Sequence, residues 1–335
     1  MAWYHVPGNR QDTVISTQVR FSRNIAAYPF PSRLDASRAR EIIAEIGTVL
    51  EGNGFTRIDF TDVSRTAAQS LLEKHYATPA ALRESLPHAL FLNEPCNLSA
   101  MACEEDHLRL QCILAGFALR DAYEGACKIE SLLDASLEFA FDKRLGYLTE
   151  NPANLGTALR VSVLLCLPLL TDSKRMETVS LQLSQGGLIL RELYGEGAPP
   201  RGLYRLSNRV CLGVTEEEIL ERMELAVERL TAAESELRSR CIGADLDILT
   251  DRVRRSEGIL RYAHALSARE LPRYLTDLRL GAALGLTEVR IEALTSLLVE
   301  AMPATLTLSA KESPTRDHER DILRAALVKD TLFGA

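Results

Sequence analysis

Hydrophobic and polar positions along the 335-residue chain keep one rhythm up to about residue 240 and another beyond it. In the first part, short apolar or β-branched runs alternate with stretches of helical spacing. T-V-I-S-T-Q-V-R-F-S-R over 13–23 has the composition of a strand and ends in basic residues. Recurring Ala, Ile and Leu predict helices over 36–52, 65–75 and 121–140. Between 89 and 114 two apolar runs flank an acidic cluster, the pattern of strand, irregular turn and strand. The stretch 161–190 reads as helical, with V-S-V-L-L-C-L-P-L-L interrupted at Pro168. A Gly/Pro loop over 195–202 then leads to a return strand over 203–212.

Thr215 with Glu218 forms a capping box ahead of a long amphipathic helix that runs to about Arg240, and Ser267 with Glu270 repeats the device. Beyond 240 every periodic stretch is helical: 248–266, 268–284, 287–302 and 314–332. No repeat period appears. Strands mixed with helices followed by helices alone predict an α+β catalytic domain over 1–240 and a separate helical domain over 241–335.

Composition narrows the class. Hydrophobic residues make up 46% of the chain, enough for two cores. A net charge of −7 argues against general binding to nucleic acid or to an anionic membrane. No apolar run reaches the ~18 residues of a membrane span, and the N-terminus lacks the plan of a signal peptide, so a cytoplasmic protein is expected. Seven cysteines without a C-x-x-C pair read as free thiols rather than disulfides or a zinc site. Arginine outnumbers lysine 33 to 6; its rigid fork suits phosphate, but position decides more than number.

Three motifs place arginine beside groups able to handle a guanidinium or a phosphate: C-E-E-D-H-L-R over 103–109, N-P-A-N-L-G-T-A-L-R over 151–160 and L-R-E-L-Y-G-E-G over 190–197. Neither G-x-x-x-x-G-K-[ST] nor a strand-following G-x-G-x-x-G is present, which disfavours both common nucleotide loops.

Together the motifs resemble the guanidino (phosphagen) kinases, and the details resemble their bacterial protein-arginine kinase (McsB-type) branch. The resemblance runs from about Val14 to Lys329. It implies a guanidino-kinase fold, an antiparallel sheet flanked by helices, and γ-phosphoryl transfer from ATP to a guanidinium nitrogen. A guanidinium is a poor nucleophile, so such a kinase needs a carboxylate to orient it and take a proton. Glu105 is implied as that base, with Glu104 its partner and Glu196 and Asn151 at the acceptor. Arg20, Arg109, Arg160 and Arg191 fall at phosphate-binding positions, with Ser16, Gln18 and His107 beside the nucleotide. Mg²⁺ is expected to ride mainly on phosphates and water, without a dedicated carboxylate cage.

Only some fifteen residues precede the first strand, too few for the helical domain that kinases of small guanidino compounds carry there, so a protein-borne arginine is the expected acceptor. R-D-I-L-R-A over 320–325 matches an element with which protein-arginine kinases bind phosphoarginine: Arg320 and Arg324, at i,i+4, would clamp the phosphate while Asp321 pairs with the guanidinium. The resemblance also implies a zinc-binding activator protein, a chaperone-protease complex and a homodimer. Four positions depart from the pattern. Gln18 replaces an arginine, Asn151 a reactive cysteine, Ala158 a glycine and Cys103 an asparagine; Ala158 fits only if its φ is negative. A slow kinase is expected. The alternatives are a non-catalytic phosphoarginine-binding adaptor and a small-molecule guanidino kinase.

Overall fold

The computed structural model describes residues 1–83, 85–193, 202–310, 314 and 316–334. The chain enters through β1 (Val14–Arg23), then α1 (Ala36–Glu51), β2 (Thr56–Asp59) and α2 (Arg65–Glu73). Asp35 starts α1 by accepting the Ser37 and Arg38 amides, and Ser64 starts α2 through the Ala67 amide. Strands β3 (Ala89–Leu92), β4 (Leu98–Ala102) and β5 (Leu108–Ala115) follow as a meander, then α3 (Leu119–Asp134) and a small hairpin of β6 (Phe141–Asp142) and β7 (Gly146–Tyr147).

Next come β8 (Leu159–Cys166), α4 (Pro168–Asp172), α5 (Met176–Gln185), β9 (Leu188–Glu192) and β10 (Leu203–Asn208). The expected helix over 161–190 is therefore corrected: its first six residues lie in a strand. V-S-V-L-L-C sits in the sheet between β1 and β10, and a continuously apolar, doubly flanked strand has no alternation to betray it. Pro168 opens α4 at a position where its missing N–H costs nothing, rather than interrupting a helix. The helix expected over 121–140 stops at Asp134, and the return strand stops at Asn208.

Eight strands form one antiparallel sheet in the order β2-β3-β4-β5-β1-β8-β10-β9, with β1 near its centre. Val19 and Phe21 of β1 face the main core, where α1, α3 and α6 (Glu216–Arg240) pack. The Thr215–Glu218 capping box is formed as expected.

Helices α7 (Ala244–Tyr262), α8 (Leu271–Ala283), α9 (Ile291–Glu300) and α11 (Asp317–Phe333) gather around a second core containing Leu260, Leu275, Leu278, Leu294 and Val328, while α10 (Pro303–Ser309) packs chiefly on α2. Reciprocal bonds between Ser267 and Glu270 precede α8, again as expected. This helical part is keyed to the sheet part by buried polar contacts. Both Glu73 oxygens accept the α10 amides of Ala304 and Thr305, at 3.0 and 2.7 Å. Arg279 donates to the Gln11 carbonyl and to Thr295. Arg252 bridges Asp172 and Asp277 at 2.6 and 2.5 Å. Among the described residues no single helix is long and apolar enough to cross a membrane.

Candidate active site

Because Val19 and Phe21 point into the core, strand alternation sends Ser16, Gln18 and Arg20 to the opposite face of β1. The register brings partners to them. Arg20 lies opposite Gln111 on β5 and Arg160 on β8, Gln18 opposite Ser162, and Ser22 opposite Arg109. Further out, Arg205 of β10 pairs with Leu164 of β8 and with Arg191 of β9. Directly opposed residues share a face, so Arg20, Arg109, Arg160, Arg191 and Arg205 line one side of the sheet. Ser16 is buried on that side too, but about 13 Å along the strand from Arg20.

Several of these guanidiniums are anchored on carbonyls. Arg109 donates to Tyr76 O at 3.1 Å, and Gln111 beside it donates to His75 O at 2.7 Å. Arg160 donates to Asn154 Oδ1 at 2.9 Å, Asn208 O at 2.8 Å and Ala153 O at 3.0 Å. Arg20 sits among them; burial, aided by Arg109, Arg205 and Arg160, pushes it down to about 9. Its Nε is buried with no hydrogen-bond partner among the described residues. A face that crowds guanidiniums this way fits a polyphosphate. Among the described residues no three His, Cys, Asp or Glu side chains are placed to hold a metal ion.

At the end of this face, 103–107 makes a tight turn between β4 and β5, closed by Cys103 N to His107 O at 2.9 Å. The adjacent carboxylates of the turn diverge. Glu104 turns inward, 4% exposed, and forms an ion pair with Arg109 at 3.2 Å. The pair is too oblique for a hydrogen bond, so both Glu104 oxygens stay without one. Glu105 turns outward and accepts from Asn151 Nδ2 at 2.9 Å. Glu104 thus meets an arginine of the sheet face, while Glu105 meets the 148–151 segment. His107 is corrected: it is fully buried, its Nδ1 accepts from the Ile25 amide at 3.0 Å and its Nε2 lies 2.9 Å from Pro29 O. With both nitrogens used it shapes the turn and has none left for a nucleotide.

The model of the ATP:guanido phosphotransferase C-terminal catalytic domain matches residues 39–237, and that of the protein-arginine kinase McsB C-terminal domain matches 247–334. The chain belongs to the ATP:guanido phosphotransferase family, in its protein-arginine kinase branch. It is a phosphotransferase. A protein-arginine kinase of Symbiobacterium thermophilum is 37% identical over 340 residues, covering 98% of this chain and 96% of the relative. One of Brevibacillus brevis is 35% identical over 338 residues, covering 98% and 94%. Among solved structures, the duplicated taurocyamine kinase from Schistosoma mansoni with bound transition-state-analogue components superposes with a TM-score of 0.62 at 27% identity. That match covers 77% of this chain and 38% of the longer one. A lombricine kinase, at 23% identity and TM-score 0.61 over 69% of each chain, shares the fold.

The departures from the family pattern have distinct structural consequences. Asn151, in place of cysteine, still touches the base loop through Glu105. Ala158 takes φ +49°, so the condition under which alanine would fit without strain is not met, and the residue carries the strain a glycine would avoid. Cys103 at φ +58° likewise occupies a conformation that asparagine tolerates better. Gln18 accepts from Ser162 Oγ at 3.1 Å and lends no charge to the face. Arg205 had no motif to announce it; only its register opposite Arg191 reveals it. Glu196 lies outside the described residues.

The residues expected to form a phosphoarginine clamp on α11 are engaged with one another and with their neighbours. Arg324 is 1% exposed and donates to Ala301 O and Leu266 O, both at 2.7 Å. Asp321 pairs with Arg324 at 2.5 Å, and Arg320 with Asp317. Here Arg324 and Asp321 fasten α11 to its neighbours instead of presenting an open anion site.

Proposed function

We propose that this chain transfers the γ-phosphoryl group of MgATP to arginine side chains of proteins. One observation carries the proposal: a sheet face bearing Arg20, Arg109, Arg160, Arg191 and Arg205 ends at an outward carboxylate, Glu105, steadied by Asn151. The arginines would hold the phosphates and absorb the charge that develops on them, the main task in phosphoryl transfer. Glu105 would pair with the acceptor guanidinium, align one nitrogen and take its proton. As the lone pair of that nitrogen forms the P–N bond, the bond from the γ-phosphorus to the bridging oxygen breaks and ADP leaves with the electron pair. The acceptor is a protein because the relatives matched over nearly full length are named protein-arginine kinases.

The adaptor alternative draws less support, since Arg324 and Asp321 are occupied within the fold. Incubation with MgATP and casein tests the proposal. The expected product is an acid-labile phosphoramidate on arginine, absent with Glu105→Gln. Acid-stable label on serine or threonine, or efficient turnover of free arginine, overturns it. So does calorimetry that finds no saturable ATP binding.

A further inference from the structure

Glu105 and Asn151 sit on loops of strands that are not neighbours: the 103–107 turn joins β4 to β5, the 148–151 segment precedes β8, and β1 runs between them. Their single mutual contact, at 2.9 Å, lies at the surface. What fixes the separation lies underneath. Asp106, 2% exposed, accepts at one oxygen, Oδ1, from Asn24 Nδ2 at 2.7 Å and from the Glu150 amide at 2.8 Å. Asn24 directly follows β1. Its Oδ1 accepts from the His107 amide at 2.8 Å, and its Nδ2 also donates to Leu148 O at 3.0 Å. The two side chains thus grip the base turn at residues 106 and 107 and the facing loop at residues 148 and 150. Glu105 and Asn151 are each next in sequence to a gripped residue.

We propose that Asp106 and Asn24 are positioning residues that set the base against the acceptor loop. The inference rests on Glu105 as the base. Neither residue touches the phosphate face, so losing either should spare ATP binding and reduce turnover. A shift of about 1 Å between reacting groups costs on the order of a hundredfold. A buried Asp whose Oδ1 takes two donors is more than an ordinary turn carboxylate, because an acceptor of the same shape would serve equally well. The proposal therefore concerns the oxygen and not the charge.

The test measures kcat on casein, Kd for MgATP and melting temperature for Asp106→Ala, Asn24→Ala, their double variant, Asp106→Asn and Glu105→Gln, all in the full chain. Asp106→Ala and Asn24→Ala should each lower kcat at least tenfold with Kd for MgATP within about threefold of wild type. The double variant should lose no more than the worse single one, since the two act as a unit. Asp106→Asn, which keeps Oδ1, should retain kcat within about threefold. Should Asp106→Ala fail to fold, the isosteric Asp106→Asn and Asn24→Ala still decide. Losses that multiply in the double variant, a matching loss of ATP binding, an inactive but folded Asp106→Asn, or alanine variants of wild-type kcat overturn the proposal. If Glu105→Gln stays active, the assignment of the base fails instead, whatever the Asp106 variants do.

Discussion

Arg20 should cost the protein stability for the sake of its ligand. It is flanked by Arg109, Arg160 and Arg205, with Glu104 the nearby counter-charge among the described residues, where its own Nε finds no hydrogen-bond partner. Each like-charge neighbour costs on the order of 1 kcal/mol in such a partly screened cluster. Three repulsions less one attraction leave about 2 kcal/mol, to which burial of the guanidinium adds. Arg20→Met keeps the length of the side chain and removes the charge, so it should stabilise the ligand-free protein by about 1–3 kcal/mol, a gain of several degrees in melting temperature. The same substitution removes a charge-assisted contact to phosphate worth about 1.5–3 kcal/mol, so Kd for MgATP should rise about 10- to 100-fold. Thermal melts in a buffer free of phosphate and sulfate, with and without saturating MgATP, read both effects. The variant should melt higher alone, and wild type should overtake it once ATP stabilises the state that binds it. A ligand-free Arg20→Met that melts below wild type, or one that binds MgATP unchanged, refutes the reasoning.

Three further perturbations have signs set by the structure. Gln18→Arg adds a charge next to Arg20 and displaces the Ser162 bond, so it should lower the ligand-free melting temperature while improving kcat/KM for ATP about tenfold, as steady-state kinetics would show. Glu73→Ala strands the two α10 amides and the Thr305 hydroxyl that its carboxylate accepts; urea denaturation should show a loss of about 2–4 kcal/mol. His75 is pushed down to about 4, chiefly by burial and then by Arg205 and Arg20. Because the unfolded ring titrates near about 6.5, the stability from the neutral ring is complete above that pH and is lost as pH falls toward 4. His75→Gln should flatten the acid side of the denaturation profile between those values.

How far the site could be read from the sequence follows from the range of each interaction. Strand β1 is legible in its β-branched composition, and the period of two that any strand has puts Gln18 and Arg20 on one face. The capping boxes were legible too, since both partners lie within one turn. Strand β8 was not, because V-S-V-L-L-C, with one polar residue in six, keeps no polar beat. Arg205 is one arginine in a short strand until pairing sets it across from Arg191. The i,i+4 spacing of Arg320 and Arg324 was read correctly as a shared helix side. Spacing could not say that Ala301 O and Leu266 O, 23 and 58 residues away, would take the Arg324 donors. Asn24 escaped notice because it bonds residues more than 80 positions downstream.

The same logic separates the arginines that hold the fold from those proposed to hold the phosphates, which their abundance could not do. Arg23 spends its charge on Glu130 between the rings of Phe21 and Tyr147, Arg238 on Asp12, and Arg252 on Asp172 and Asp277. Each is cancelled where it stands, and none can attract a phosphate strongly. On the open sheet face the anchoring groups are different. Arg160 is fixed by three backbone carbonyls and an asparagine, and Arg109 by the Tyr76 carbonyl with Gln111 and by an ion pair with Glu104. A neutral acceptor fixes the fork of a guanidinium without removing its charge. The groups are thus oriented before a substrate arrives and need not reorganise as negative charge moves onto the leaving phosphate. In a chain whose net charge is −7, long-range attraction cannot bring a nucleotide in. Local fields built from carbonyl-anchored arginines are what remain to do it, at the cost in stability that Arg20→Met should expose.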